Sequence, residues 1–142
     1  LVTLAQVESR EITRAISPPG GRVAATCSAM GKALIATWTD EQIAMFCKQN
    51  GFRKLTPNSH RTLASLMADI RTIRKRGFAI DDEEHVAGLR CVAAVASSPQ
   101  GDAICALSVS GLANRLSAAR ASAVAGRVVV AAREFAQKIG PR

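Results

Sequence analysis

The sequence predicts an α+β domain of layered, antiparallel type, and three observations lead there. Apolar residues alternate at a period of two near the N-terminus and again after residue 77; between these stretches and at the C-terminal end they recur at three and four. The resulting order is strands, helices, strands, helix, unlike the regular alternation of a doubly wound sheet. The two later strand patterns are joined by a polar turn, Ser97-Ser98-Pro99-Gln100-Gly101-Asp102, which makes them a hairpin. Finally, 142 residues with 48% hydrophobic content fit one domain with a proper core and exclude a disordered chain. A domain of this size buries roughly 70% of the surface its unfolded chain exposes.

Each element has a local justification. Val2, Leu4 and Gln6 alternate with Thr3, Ala5 and Val7, a half-buried strand; Glu8-Ser9 turns the chain, and residues 11–16 read as a second strand. Pro18-Pro19-Gly20-Gly21 is a firm break, followed by an extended stretch over residues 22–25. Ser28 is an N-cap for a helix in which Met30, Ala33, Leu34 and Thr37 share a face. Thr39-Asp40-Glu41-Gln42 is a capping box for a short helix carrying Ile43, Phe46 and Cys47, and Gly51 ends it. The strongest helical pattern covers residues 60–76, with Leu63, Leu66, Met67, Ile70 and Ile73 on one stripe, Asn58 or Ser59 as cap and Gly77 as stop. Phe78 and Ile80 lead into a strand ending at Asp81, and residues 91–96 and 103–110 are the strands of the hairpin. After Gly111, Ser117 caps a terminal helix with Val124, Val128, Ala132, Phe135 and Ile139 as its apolar stripe.

Composition limits the function classes. Nineteen basic against eleven acidic residues give a net charge of +8, which favours polyanions. Aromatic content of 4% with no Tyr leaves almost no stacking platform for single-stranded nucleic acid. The basic residues of Arg71-Thr72-Ile73-Arg74-Lys75-Arg76 and of the C-terminal region read as solvated helix faces. No apolar run reaches about 18 residues, as a transmembrane helix requires, and the first ten residues lack a signal-peptide pattern. Cys27, Cys47, Cys91 and Cys105 form no CxxC pair, so a zinc site has no support. Their apolar settings suit reduced thiols and a cytoplasmic home. The chain opens on Leu1 rather than Met and reads as one domain of a longer protein.

Four constellations bear on chemistry. Gly31-Lys32 fails as a phosphate loop, because Thr26 and Ala33 stand where Gly and Ser or Thr are needed. The start of that helix still offers free backbone N–H groups that suit a small anion. Asp81-Asp82-Glu83-Glu84-His85 lacks the spacing of a calcium loop or a zinc protease; it reads as a wet loop from which Asp81 alone turns inward. Cys91 with His85 is the one nucleophile–base candidate, and nothing supplies a third orienting group. Ser108 and Ser110 are outside any GxSxG motif but two apart on a strand, so they share a face with Ala106. That face either meets water or lines a polar pocket.

Taken together, three stretches carry a resemblance to a known family: Ser28-Ala29-Met30-Gly31-Lys32-Ala33-Leu34-Ile35-Ala36, then residues 74–94 from Arg74-Lys75-Arg76-Gly77 through Asp81-Asp82-Glu83-Glu84-His85 to Cys91-Val92-Ala93-Ala94, and last Ala106-Leu107-Ser108-Val109-Ser110-Gly111 with Arg115-Leu116. The chain resembles the effector-binding domain of IclR-type bacterial transcriptional regulators over nearly its whole length. The resemblance implies a GAF-like fold, a curved antiparallel sheet flanked by helices, occupying residues 1–142. It also implies a winged helix-turn-helix DNA-binding domain before Leu1 that is absent from this chain. Dimers or dimers of dimers are implied, with small organic acids such as glyoxylate, pyruvate, sugar acids or aromatic acids as effectors. No catalysis, cofactor, metal or membrane contact is implied. By motif position the ligand site comprises Ala29 and Met30 through backbone N–H groups, the polar side chains of Asp81, Cys91, Ser108 and Ser110, and Leu89 as an apolar wall. Some members carry a small Gly-Ala pair where this chain has Ala29-Met30, so the effector's identity does not transfer. The competing readings are an oligomerisation module with a vestigial pocket and a cysteine enzyme using Cys91.

Overall fold

A computed structural model describes residues 1–7 and 19–139. Along the described residues run α1 (Ala29–Ile35), α2 (Asp40–Asn50), α3 (Leu63–Arg76), β1 (Ala79–Asp82), β2 (Leu89–Ser97), β3 (Ala103–Leu112) and α4 (Ala118–Ile139). The strands form one antiparallel sheet in the order β1-β2-β3. Register sets Asp81 opposite Cys91 and Cys91 opposite Ser110; Ala79, Ala93 and Ser108 form the neighbouring row. Strand residues two apart share a face, and the two faces pack into separate cores. Ala79, Cys91, Ala93 and Val95 meet α1, α2 and α3 on one side. Ile80, Val92, Ala94 and Leu107 meet α4 on the other. This is the expected α+β sheet with helices on both faces.

Local chemistry fixes most boundaries where the sequence puts them. The Ser28 hydroxyl accepts from Gly31 N–H at 3.1 Å and donates to the Ala24 carbonyl at 2.7 Å, which starts α1. Thr39 and Gln42 form the reciprocal capping box of α2, and Gly51 ends it with a φ of 66°. Gly77 closes α3 in the left-handed conformation, while Leu66, Met67, Ile70 and Ile73 form its buried stripe. Full burial of each such side chain contributes about 1.5–3 kcal/mol. Ser117 accepts from Arg120 N–H at 3.3 Å at the start of α4.

Several expectations are corrected. Residues 1–7 do not form a strand: Val2 makes a single antiparallel bridge with Arg22, and Leu4 and Val7 are 81% and 98% exposed. Backbone bonds tie residues 1–3 to residues 20–23 and bury Thr3, but the pairing does not extend to Leu4 or Val7, and alternation predicts burial only where a partner surface lies alongside. The turn at Glu8-Ser9 and the strand over residues 11–16 lie outside the described residues. Helix α3 starts at Leu63 with Thr62 as its cap. Neither Asn58 nor Ser59 caps it, because Asn58 donates to the Asp82 carbonyl at the end of β1 and Ser59 to the Glu84 carbonyl just after it, and Leu63 is exposed.

Two buried faces are out of phase with the sequence reading. In α1 the buried residues are Ala29, Gly31, Lys32, Ala33 and Ile35, with Met30 and Leu34 half-buried and Thr37 exposed. In α4 the buried stripe is Ala121, Ala125, Val128, Ala132 and Ala136, with Phe135 and Ile139 exposed. The helix lies close against the sheet, and the small residues rather than the large ones fill that narrow seam.

Candidate functional site

The sheet face under α1 carries the candidate residues. Asp81, Cys91 and Ser110 form one cross-strand row, and Ser108 heads the next row beyond Ala93. Leu89 shares the face by strand parity and is buried. Ala29, buried, and Met30, half-buried, open α1, which packs onto the same face. Ser108 and Ser110 are exposed, so among the described residues the row is an open shelf, and the face meets solvent at the serines. A separate cleft of about 180 Å³ lies at the other end of α1, lined by Ala33, Ala36, Ile73, Phe78 and Val95; its Arg74 is occupied by the Ala36 and Trp38 carbonyls and Asp40.

Asp81 is 1% exposed, and its Oδ1 accepts from the backbone N–H groups of Glu84 at 2.7 Å and His85 at 3.3 Å. Burial pushes its carboxyl up to about 6; the two backbone donors oppose the rise and the Glu84 charge adds to it. The turn that follows takes a left-handed residue without glycine: Glu83 has a φ of 58°. Its side chain holds Gly88 N–H at 2.8 Å, and Thr56 and Ser59 donate to the carbonyls of Glu83 and Glu84.

The acidic run is not the wet loop expected beyond Asp81. Glu84 is also buried, because its carboxylate meets Lys32. Lys32 itself is fully buried. Its ammonium donates to Asp69 Oδ2 at 2.5 Å, Glu84 Oε1 at 2.6 Å and the Ile80 carbonyl at 2.7 Å, which uses all three of its hydrogens. His60 Nε2 lies 3.2 Å from Asp69 Oδ2. Burial works against the charge of Asp69, yet the His60 bond and the Lys32 ammonium hold its carboxyl down at about 2. His60, Asp69 and Glu84 offer donor atoms within 4.8 Å of one another, a spacing that suits a metal ion, but the Lys32 ammonium already bridges both carboxylates. Removing one partner of such a buried group costs about 3–5 kcal/mol.

The nucleophile–base pairing of Cys91 with His85 is corrected. His85 Nδ1 faces Cys27 Sγ at 3.8 Å, while Cys91 Sγ accepts from the Ser110 hydroxyl at 3.1 Å. Burial pushes the Cys91 thiol up to about 12 and the Cys27 thiol up to about 11. Burial, with Arg53 nearby, pushes His85 below its usual range. Both thiols are therefore protonated at neutral pH and poor nucleophiles.

The family model described as bacterial transcriptional regulator IclR C-terminal matches residues 1–139. The chain belongs to the IclR family. The HTH-type transcriptional regulator BhcR of Paracoccus denitrificans (strain Pd 1222) is 38% identical over 139 residues, which is 98% of this chain and 50% of BhcR. The HTH-type transcriptional repressor AllR of Escherichia coli (strain K12) is 30% identical over 139 residues, 98% of this chain and 51% of AllR. The crystal structure of the Thermotoga maritima IclR has a TM-score of 0.87 at 26% identity, covering 95% of this chain and 55% of that one. The chain spans about half the length of the curated relatives it matches. It is an IclR-family effector-binding domain, and that family consists of transcriptional regulators rather than enzymes. Among the described residues no helix is long and apolar enough to cross a membrane.

Sequence reasoning for this IclR-family domain missed Lys32, Glu84, Asp69 and His60 as a group. One signal was present: Ala29, Lys32, Ala33 and Ala36 recur at helical spacing, and a Lys inside an apolar stripe demands buried acceptors. Which acidic residues supply them is set by tertiary contacts across 37 and 52 positions of chain, and local pattern does not reach that far.

Proposed function

We propose that this domain senses a small organic acid, and that the acid binds on the row Asp81–Cys91–Ser110 with Ser108 beside it. Ala29 and Met30 then offer backbone N–H groups to the carboxylate, the serines offer hydroxyls, and Leu89 closes the apolar side. The observation that carries this reading is the register, which sets a buried carboxyl, a thiol and two hydroxyls on the one sheet face that α1 covers. In the whole protein a winged helix-turn-helix domain preceding Leu1 reads DNA, in the cytoplasm, as a homodimer or homotetramer. The acid shifts the balance between two arrangements of the subunits by binding one more tightly than the other. A thermal-shift panel of glyoxylate, pyruvate, lactate, gluconate and benzoate tests it. A concentration-dependent rise for one acid class, lost in a Ser108→Ala/Ser110→Ala double variant, supports the site. A rise that survives the double substitution removes these serines from it.

Exposed Phe135 and Ile139 on α4 favour a second reading, an oligomerisation module whose shelf is vestigial. It predicts a flat acid panel together with a concentration-dependent molecular mass that falls on Phe135→Ser/Ile139→Ser.

A further inference from the structure

The buried ammonium of Lys32 is joined to the candidate site by a short chain of bonds. Its Nζ holds Glu84 Oε1 at 2.6 Å and the Ile80 carbonyl at 2.7 Å, and Ile80 and Glu84 bracket Asp81 in the chain. Glu84 N–H in turn donates to Asp81 Oδ1 at 2.7 Å. The same lysine stands in the middle of α1, whose first turn cannot shift toward its neighbours: a Cβ on Gly31 would lie 2.5 Å from the Ala25 backbone. One side chain thus links the helix above the sheet face to the turn that aims its carboxyl.

We propose that Lys32 is a positioning residue of this site, acting through Ile80 and Glu84 to hold Asp81 on the row with Cys91 and Ser110. The proposal rests on the site reading above, and it assigns a task to the ion-pair cluster that the site itself leaves unused. Any fully buried ammonium needs acceptors for its three hydrogens, so the number of bonds is not what assigns the role; where they lie is. Here every hydrogen is spent, and two of the three acceptors are immediate neighbours of Asp81 in the chain or its turn. Charge follows geometry. The charged groups acting on Asp81 are the Glu84 carboxylate of its own turn and Lys32 from α1, beside the backbone N–H donors of Glu84 and His85. Cys27 and Cys91 sense the Asp81 charge in return, and Arg53 acts on Cys27 and His85. Lys32 favours the ionised form of Asp81 and Glu84 disfavours it, so the cluster also sets what the carboxyl offers a ligand.

The test uses the 142-residue chain without any ligand, so its outcome stands apart from that of the acid panel. Carboxyl titrations by ¹³C NMR and amide exchange are read in Lys32→Met, Glu84→Gln and Asp69→Asn. Lys32→Met raises the Asp81 midpoint and Glu84→Gln lowers it. Exchange at the Glu84 and His85 amides quickens about tenfold or more in Lys32→Met, while α4 amides keep their protection. Asp69→Asn removes a carboxylate from the same ammonium but not from the Asp81 side, so it destabilises without moving the midpoint. If Lys32→Met does not fold, exchange at the Glu84 and His85 amides in Glu84→Gln against Asp69→Asn decides, because Glu84→Gln moves the Asp81 midpoint through its own charge: faster exchange in Glu84→Gln alone supports the proposal. Unchanged exchange at the Glu84 and His85 amides in Lys32→Met, or equal exchange there in Glu84→Gln and Asp69→Asn, overturns the proposal and leaves Lys32 a purely structural ion pair.

Discussion

Asp81 makes stability depend on pH in a direction opposite to most carboxylates. Burial raises its carboxyl from 3.8 to about 6 in the folded chain. The protonated form is then favoured by folding: the stabilisation is complete below the unfolded value near 3.9 and is lost as pH rises through about 6. Two pH units correspond to about 3 kcal/mol. Asp81→Asn keeps an oxygen for the Glu84 and His85 N–H groups and removes the charge, so it escapes that loss. Urea unfolding at pH 4, 6 and 8 reads the effect directly. The variant matches the wild type near pH 4 and exceeds it by about 1–3 kcal/mol at pH 8. Contributions of other titrating groups cancel in the difference between the two proteins. A difference that stays constant across this range, or that grows toward low pH, refutes the assignment of a buried, reluctantly ionised carboxyl.

Four further outcomes follow from the same geometry. Ser108→Ala/Ser110→Ala abolishes the acid-induced rise in Tm but changes stability by less than about 0.5 kcal/mol, because both side chains are exposed; calorimetry with and without acid separates the two. If the bound acid's carboxylate approaches Asp81, binding takes up a proton. Affinity for glyoxylate then rises as pH falls from 8 to 6, by at most about tenfold per pH unit, and a pH-independent Kd in isothermal titration counts against that approach. Cys91, with its thiol lifted from 9.0 to about 12, holds about a thousandfold less thiolate than an ordinary cysteine. Iodoacetamide labelling read by peptide mass therefore finds it slow, and fast labelling contradicts the burial described. Gly31→Ala forces a Cβ against the Ala25 Cα and carbonyl oxygen, each at 2.5 Å; it destabilises by about 1–3 kcal/mol or more in urea melts.

Much of this was legible before any coordinates, and the boundary of what was legible has physical causes. The hairpin of β2 and β3 is written locally, in alternation on each side of a turn rich in Ser, Pro and Gly, and it forms within two residues of the expected ends. Because parity along a strand is fixed, the shared face of Ser108 and Ser110 followed at once. The capping box of α2 is likewise a four-residue code. What local pattern misjudges is anything decided by a distant partner. Asn58 and Ser59 have the chemistry of helix caps, but the end of β1 claims the first and the turn after it the second. Lys32 looks like a solvent residue until Asp69 and Glu84 are placed around it. In α4, hydropathy points to Phe135 and Ile139, while separation from the sheet selects alanines.

Those alanines have a mechanical consequence. Ala121, Ala125, Ala132 and Ala136 lie with Ala94 and Ala96 in one buried cluster, and an alanine has no side-chain torsion to populate or to lose. Six of the nine buried residues in that cluster are alanines, so the back of the sheet holds few alternative rotamers into which a disturbance on the front could dissipate. A strain introduced at the row of Asp81, Cys91 and Ser110 has to be carried by β2, β3 and α4 together. The domain is stiff on the side away from its candidate site, and a stiff backing turns a local event into displacement of whole elements.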